Sequence, residues 1–361
     1  VMYRYSALVI KDDAGNFDLQ EQTTTTPQRA NYIQMGVNGK IQTGAVEHDL
    51  TFAVDRAWRE REAAKKGSAV YNLGTGNIYT GILNQTAAPT TAYEEAMNNK
   101  TSIKGISLVD NITINKWDVL LGVHHHSANV KAYNLTTGRV SSSVDSSATT
   151  PTFALSYHPT KDTSVYASHA EYFDVGSVVS SSYKNAGEIL PPAKTKQNEI
   201  GVKMQTGEFL NTFSYFEIRQ ANAIDVYEGT QKYRRIDGEQ KNKGAEWAFT
   251  GTIGKKLELI GGFTYLDVRQ SKTARGTNDG KRVDGMPYWT GTLGMVYRPT
   301  TDWSLIARMN YVGDSVINGG AIPVPSHTLF DLGATYRTTM GRTPVTLSAM
   351  VYNVTGKDYW N

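Results

Sequence analysis

The chain has 361 residues, with 37 Lys and Arg against 34 Asp and Glu, a balance too even to call for a polyanion, so no nucleic-acid partner is expected. Cysteine is absent, which excludes disulfides, cysteine-ligated zinc and thiol nucleophiles. Tyrosine (21) and glycine (33) are abundant, mean hydropathy is low, and no apolar run approaches the length of a transmembrane helix, so any membrane crossing must be made by strands.

The start, Val1-Met2-Tyr3-Arg4, has neither the basic segment nor the apolar stretch of a signal peptide, so a targeting segment is expected outside this sequence. From there on, turn residues punctuate the chain at 12–16, 39–43, 111–116, 158–162, 205–208, 254–256, 299–302 and 339–343. Between them lie long polar stretches at 59–100, 127–150, 173–195, 220–240 and 270–285. Outer-membrane barrels alternate short periplasmic turns with long extracellular loops, so this spacing predicts eight hairpins, hence 16 strands, with the long stretches outside.

The strands themselves carry a two-residue period. Trp117, Val119, Leu121 and Val123 share one face, and the pattern continues into His124-His125-His126, putting His125 outward and His124 and His126 inward. Two inward imidazoles could hold a metal or an anion, or could be wet rim residues; no carboxylate partner is fixed by the sequence. Further on, Leu257, Leu259, Phe263 and Tyr265 alternate with Glu258 and Thr264, and Trp289, Leu293, Met295 and Tyr297 with Thr290, Thr292 and Arg298. Next, Trp303, Leu305, Ala307, Met309 and Tyr311 alternate with Ser304, Arg308 and Asn310. The last two are Phe330, Leu332, Ala334 and Tyr336 against Asp331, Thr335 and Arg337, then Val345, Leu347, Ala349 and Val351 against Thr346 and Ser348. Leu259, Leu293, Leu305 and Leu347 are expected to face lipid, and Glu258, Arg298, Arg308 and Thr346 the lumen. Aromatic residues end these greasy faces, as they do at the headgroup level of a membrane strand; a soluble sandwich alternates too but needs no such girdles.

The fold class is therefore all-β, an antiparallel transmembrane β-barrel. Eight hairpins with their short turns in the periplasm would leave both ends at the extracellular rim, with Tyr359-Trp360-Asn361 the top of an ascending strand. Single-chain bacterial barrels put both ends in the periplasm, and an open edge cannot face lipid, so 1–361 is expected to be an incomplete barrel domain.

Several segments resemble the siderophore-receptor branch of the TonB-dependent transporters. The run 42–50 (Gln-Thr-Gly-Ala-Val-Glu-His-Asp-Leu) followed by Val54-Asp55 is similar to that family's turn and strand, with Ala53 where Gly is usual. The hairpin 155–168 (Leu-Ser-Tyr-His-Pro-Thr-Lys-Asp-Thr-Ser-Val-Tyr-Ala-Ser) is similar to its Tyr-x-Pro-Thr-x-Asp hairpin. Leu190-Pro191-Pro192 and Glu199-Ile200-Gly201-Val202-Lys203 follow, with Ala193 where an acid is usual. Gly238, Gly244-Ala245-Glu246, 261–267 and Asn353-Val354 to Tyr359-Trp360 match later barrel motifs in order. The resemblance implies a barrel of about 22 strands, of which this chain would hold about strands 6 to 21, with the N-terminal plug, its TonB box and the last strand not in the chain.

It also implies an outer-membrane receptor for ferric siderophores, a ligand-gated porin driven by the TonB complex through the plug, with no cofactor because iron arrives already chelated. The implied partners are the siderophore, the lipid bilayer and lipopolysaccharide. A passive 16-stranded porin is the alternative; a soluble solenoid or propeller would show a fixed repeat, and none is present. No nucleophile elbow or His-Glu-x-x-His occurs, and no enzyme activity is expected. A siderophore is amphipathic and oxygen-rich, which calls for rigid aromatic and hydrogen-bonding groups in an extracellular vestibule. The candidates are Tyr71, Tyr79, Tyr93, Tyr133, Tyr172, Phe173, Tyr183, Tyr227, Tyr233 and Arg234, with His124 and His126; each tyrosine could instead pack within its own loop.

Overall fold

The computed structural model describes residues 2–360 except 13, 67–68, 87–93, 181, 230 and 318. Its described residues form twenty strands. They are β1 (Met2–Ile10), β2 (Asn16–Thr25), β3 (Gln28–Thr43), β4 (Val46–Lys66), β5 (Ala69–Asn77), β6 (Gly81–Gln85), β7 (Glu94–Ile114), β8 (Trp117–Tyr133), β9 (Val140–Thr160) and β10 (Thr163–Asp174). The rest are β11 (Ala193–Thr206), β12 (Phe209–Glu228), β13 (Gln231–Ile253), β14 (Leu257–Ser271), β15 (Trp289–Tyr297), β16 (Trp303–Val312), β17 (Ser315–Ile317), β18 (Ile322–Val324), β19 (His327–Met340) and β20 (Thr343–Val351). The longest, β13, has 23 residues. At about 3.3 Å per residue it is far longer than a bilayer crossing needs, so its upper part stands clear of the membrane.

Fourteen strands make one antiparallel wall in the order β20-β19-β16-β15-β14-β13-β12-β11-β10-β9-β8-β7-β4-β3. Each strand of the wall pairs with the next wall strand along the chain; β5–β6 and β17–β18 form separate sheets in the connections β4 to β7 and β16 to β19. The register fixes the faces. Leu259 pairs with Met295, Leu293 with Met309, Leu305 with Ala334 and Leu347 with Tyr336, so the expected lipid-facing leucines share one side. Arg308 pairs with Asp331 and Arg337 with Thr346 on the other. The same alternation runs back to β3, whose Met35 and Val37 are 68% and 73% exposed on the outer side. A wall with its apolar side chains outward has no interior core to bury them in; they need lipid.

The eight expected hairpins all occur, with tighter turns than the composition suggested. Gly39 stays in strand, opposite Leu50, and the reversal is made at Gly44-Ala45, where Gly44 takes a φ of +63° that a side chain would resist. One hairpin sits elsewhere. β1 and β2 belong to a separate four-stranded sheet, β1-β2-β5-β6. The β2–β5 ladder prolongs the β3–β4 ladder: Gln28 pairs with Arg61, the Glu62 N–H donates to the Pro27 carbonyl, and Thr23 pairs with Ala69. The turn at 12–16 therefore lies at the end opposite Gly44, among the long loops and not with the periplasmic turns. Its residues promise a reversal but do not say at which end of the wall.

Three long stretches are less loop-like than expected: 59–100 holds the end of β4, the whole of β5 and β6 and the start of β7. Strands β8 and β9 stay paired to Tyr133 and Val140, and β12 and β13 to Glu228 and Gln231, because alternation persists above the apolar belt in polar guise. The end of the chain differs as well. β20 stops at Val351, and no strand includes 352–360: Asn353, at φ +49°, receives the Lys357 N–H on its side-chain oxygen, while its own N–H donates to Asp331. Tyr359 stacks on His327 at 4.5 Å rather than topping a strand.

Candidate functional site

On the inner wall, the two-residue period carries His124 and His126 to the same side of β8, where their rings stack at 3.7 Å. His125 points outward and pairs with the Thr149 hydroxyl at 2.9 Å. One strand beyond β7, Asp55 comes within 3.4 Å of His124 Nε2, on a row that runs Asp55, Gly105, His126. Gly105 makes this approach possible: a Cβ there would collide with both the Asp55 carboxylate and the His124 imidazole. Among the described residues His124 Nε2 is buried without a completed hydrogen bond, an uncommon and costly state that marks a site open to a further polar group. Phe173, from the top of β10, closes the group with its ring 6.1 Å from His126.

Above it the loop 175–192 folds inward. Asp174 accepts the Gly176 N–H to start it, and a bridge between Val178 and Ile189 narrows it. The Ser142 hydroxyl donates to the Gly187 carbonyl, and Ala128, Val130 and Ala132 of β8 are buried. The loop then reaches the β12–β13 hairpin: the Lys184 N–H donates to the Lys232 carbonyl, the Asn185 amide donates to the Arg234 carbonyl, and the Arg234 N–H donates back to it. Asp225 anchors the junction, accepting from the Tyr183 hydroxyl at 3.0 Å and from Arg234 at 2.6 Å, with Lys232 at 2.7 Å. This aspartate stands well beyond Tyr215, the last aromatic of the outer belt on β12. Its burial alone would raise the carboxyl pKa, but the bonds from Lys232, Arg234 and Tyr183 outweigh that and hold it below the usual range.

The structure thus sorts the expected ligand residues into groups. His124 and His126 share the inner face of β8, and the Phe173 ring lies 6.1 Å from His126, although in the β10–β11 register Phe173 stands opposite Lys194 on the face of β10 that carries Glu171; Tyr172 is 56% exposed. Tyr183 and Arg234 tie loop to hairpin, while Tyr233 lies under the Arg235 guanidinium and donates to Gln231. Tyr71 packs on the small core of Phe17, Leu19 and Leu73 in the four-stranded sheet, and Tyr79 at its tip is 77% exposed. Tyr133 continues the odd-numbered, outward face of β8 and falls near Lys100, outside the vestibule. Tyr93 and the side chain of Tyr227 lie outside the described residues.

Sequence reasoning missed Asp55, Asn185 and Asp225, and missed the inner-wall pair in which the Tyr166 hydroxyl donates to Glu199 at 2.6 Å across Gly201. Alternation in 164–168 could have turned Tyr166 inward; nothing local announces the cross-loop partners.

A lipid-facing outer side, a polar inner wall and loops folded over one rim define a membrane-spanning barrel wall with a covered lumen. Residues 3–354 match the family described as TonB dependent receptor-like, beta-barrel, and the chain belongs to that family. It is an outer-membrane barrel protein. Among relatives, the ferrichrome receptor FcuA of Yersinia enterocolitica is 26% identical over 90% of this chain and 44% of its own length. The metal-pseudopaline receptor CntO of Pseudomonas aeruginosa is 24% identical over 84% and 44%. Among solved structures, BauA, the ferric preacinetobactin receptor of Acinetobacter baumannii, superposes with a TM-score of 0.79 at 29% identity, covering 99% of this chain and 55% of BauA. The chain spans about half the length of these relatives.

Proposed function

We propose that this chain is the greater part of the barrel of a receptor that takes up ferric siderophores. The observation that carries the reading is the stacked inner-wall pair His124 and His126, with the Phe173 ring against it, beneath the inward-folded loop, in a chain whose relatives FcuA and BauA are named as ferrichrome and ferric preacinetobactin receptors. Iron comes already enclosed by its carrier, so the histidines serve as hydrogen-bonding groups toward the carrier's oxygens and no resident cofactor is involved; the role is transport, not catalysis. The free edges of β3 and β20 are closed by further strands of a longer parent, because unpaired backbone groups cannot face lipid. A plug in that parent couples the lumen to the TonB complex.

Labelled-iron uptake by cells with and without the parent gene, over hydroxamate and catecholate carriers, tests this. Loss of uptake for at least one carrier, abolished equally by removing TonB, is expected. Unchanged uptake for every carrier, with faster diffusion of small sugars through the intact protein, would favour the passive pore.

A further inference from the structure

The outer face of β4, β7 and β8 holds an acid and a base at a depth where lipid solvates neither. Between the Arg56–Lys104 pair above and Trp117 below, the outward positions flanking them are apolar: Leu50, Phe52 and Val54 on β4, Ile106, Leu108 and Ile112 on β7, and Val119, Leu121 and Val123 on β8. Trp117 packs on Tyr157 at 4.5 Å and marks the lower headgroup level. From Ile114, which pairs with Trp117, up to Lys104 is about 33 Å along the strand, or about 25 Å of height at the usual tilt, the thickness of one apolar band. Asp110 stands inside that band, opposite Leu50 on one side and Leu121 on the other, about 13 Å along the strand above Ile114. It meets His48, one outward position lower on β4, whose Nδ1 lies 2.8 Å from Asp110 Oδ2. Both side chains keep some exposure on this lipid-facing side, 26% for His48 and 19% for Asp110.

Apolar residues in the same two places would hold the wall together at least as well, so folding does not account for the pair. Nor is it satisfied. Among the described residues neither the second ring nitrogen of His48 nor Asp110 Oδ1 has a hydrogen-bond partner. As an ion pair the two have one ring N–H and one carboxylate oxygen to spare. Whatever completes them must bring an acceptor and a donor at the same spacing into the hydrocarbon layer, where acyl chains offer neither.

We propose that this patch joins two copies of the barrel side by side in the membrane. A two-fold axis along the membrane normal brings a patch against itself, so that each residue contacts its counterpart's neighbour and the reverse. Each His48 then faces the Asp110 of the second copy, whose carboxylate exchanges its oxygens by a half-turn, and the four charges close a ring of alternating sign. The ring is rimmed by Ile41, Leu50, Ile112 and Leu121, outward residues of the same register, which exclude lipid from it. A different protein would need a matching acid and base at this depth; a second copy has them already. The contact is independent of what the lumen carries.

The test uses the full-length parent in outer-membrane vesicles, with any cysteine outside these 361 residues replaced, since the 361 contain none. Leu121→Cys puts a thiol beside Asp110 on the outer face, and Leu293→Cys puts one on β15, away from the patch. A short membrane-permeant reagent that bridges two thiols should join L121C to a second copy at least tenfold more than L293C. Adding H48L/D110L should abolish that excess, while heat-modifiable mobility on gels shows the barrel still folded. Equal cross-linking of L121C and L293C, a product whose mass is not that of two parents, or an excess that survives H48L/D110L would each overturn the proposal. The first two outcomes are read on the single variants and stand whether or not the double change folds.

Discussion

Single positions decide which side of the wall a residue serves. Leu293 is on the outer face of β15, midway between Trp289 and Tyr297 and so near the bilayer midplane, and Leu293→Arg is expected to destabilise the barrel by roughly 2 to 4 kcal/mol. Arg308, on β16, faces inward and is 3.3 Å from Asp331, half-exposed to a wet lumen, so Arg308→Leu should cost about 1 kcal/mol or less. Urea titration in lipid vesicles compares the two, and equal costs would reverse the assignment of faces. Gly105 is the other position where one atom matters. Gly105→Val should drive Asp55 away from His124 and cost about 1 to 3 kcal/mol through overpacking, with the outward His125–Thr149 pair undisturbed. Histidine side-chain NMR resonances would show whether His124 and His126 move while His125 does not.

At the scale of elements, the loop 175–192 is held over the lumen by its junction with the β12–β13 hairpin, and Asp225 is the acceptor shared by Tyr183, Lys232 and Arg234. Because its folded pKa is depressed below the ordinary 3.8, the stabilisation it gives is present above that value and is lost as pH falls through the lower folded value. The protection of the Lys184 amide against exchange, relative to its intrinsic rate at each pH, should hold at pH 5 to 7 and fall as Asp225 is protonated below the ordinary carboxylate range, and Asp225→Asn should lower it at pH 5 to 7. An amide indifferent to the substitution would place the anchor elsewhere. How much of this was legible beforehand follows from its range. Alternation from Trp117 to Val123 and from Leu257 to Val351 is local, so outward and inward faces, and even the directions of His124, His125 and His126, follow from the sequence. The turn at 12–16 was legible as a turn, but its end of the wall depends on β2 pairing with β5 across the chain. The Asp225 junction joins residues 42 apart between loops, and no pattern of spacing encodes it.

For the whole molecule, the wall, the covered lumen and the family membership put the outer face against lipid, and the proposed function gives the inner face to cargo. The residues suggested for cargo divide by where the fold puts them: His126 is on the inner face with the Phe173 ring against it, Tyr133 stands on the outside near Lys100, and Tyr71 is spent on packing. Binding should respect that division. A buried aromatic anchor commonly contributes 2 kcal/mol or more, about thirtyfold in affinity.

The most direct measurement is the affinity of the full-length parent for a panel of ferric siderophores, by intrinsic fluorescence quenching, in the parent and in two variants. The account predicts that at least one siderophore binds, that the double change His126→Ala and Phe173→Ala weakens it about thirtyfold, and that Tyr133→Ala leaves it unaltered. No binding to any member of the panel, or equal weakening by the inner-wall and outer-wall changes, would contradict it.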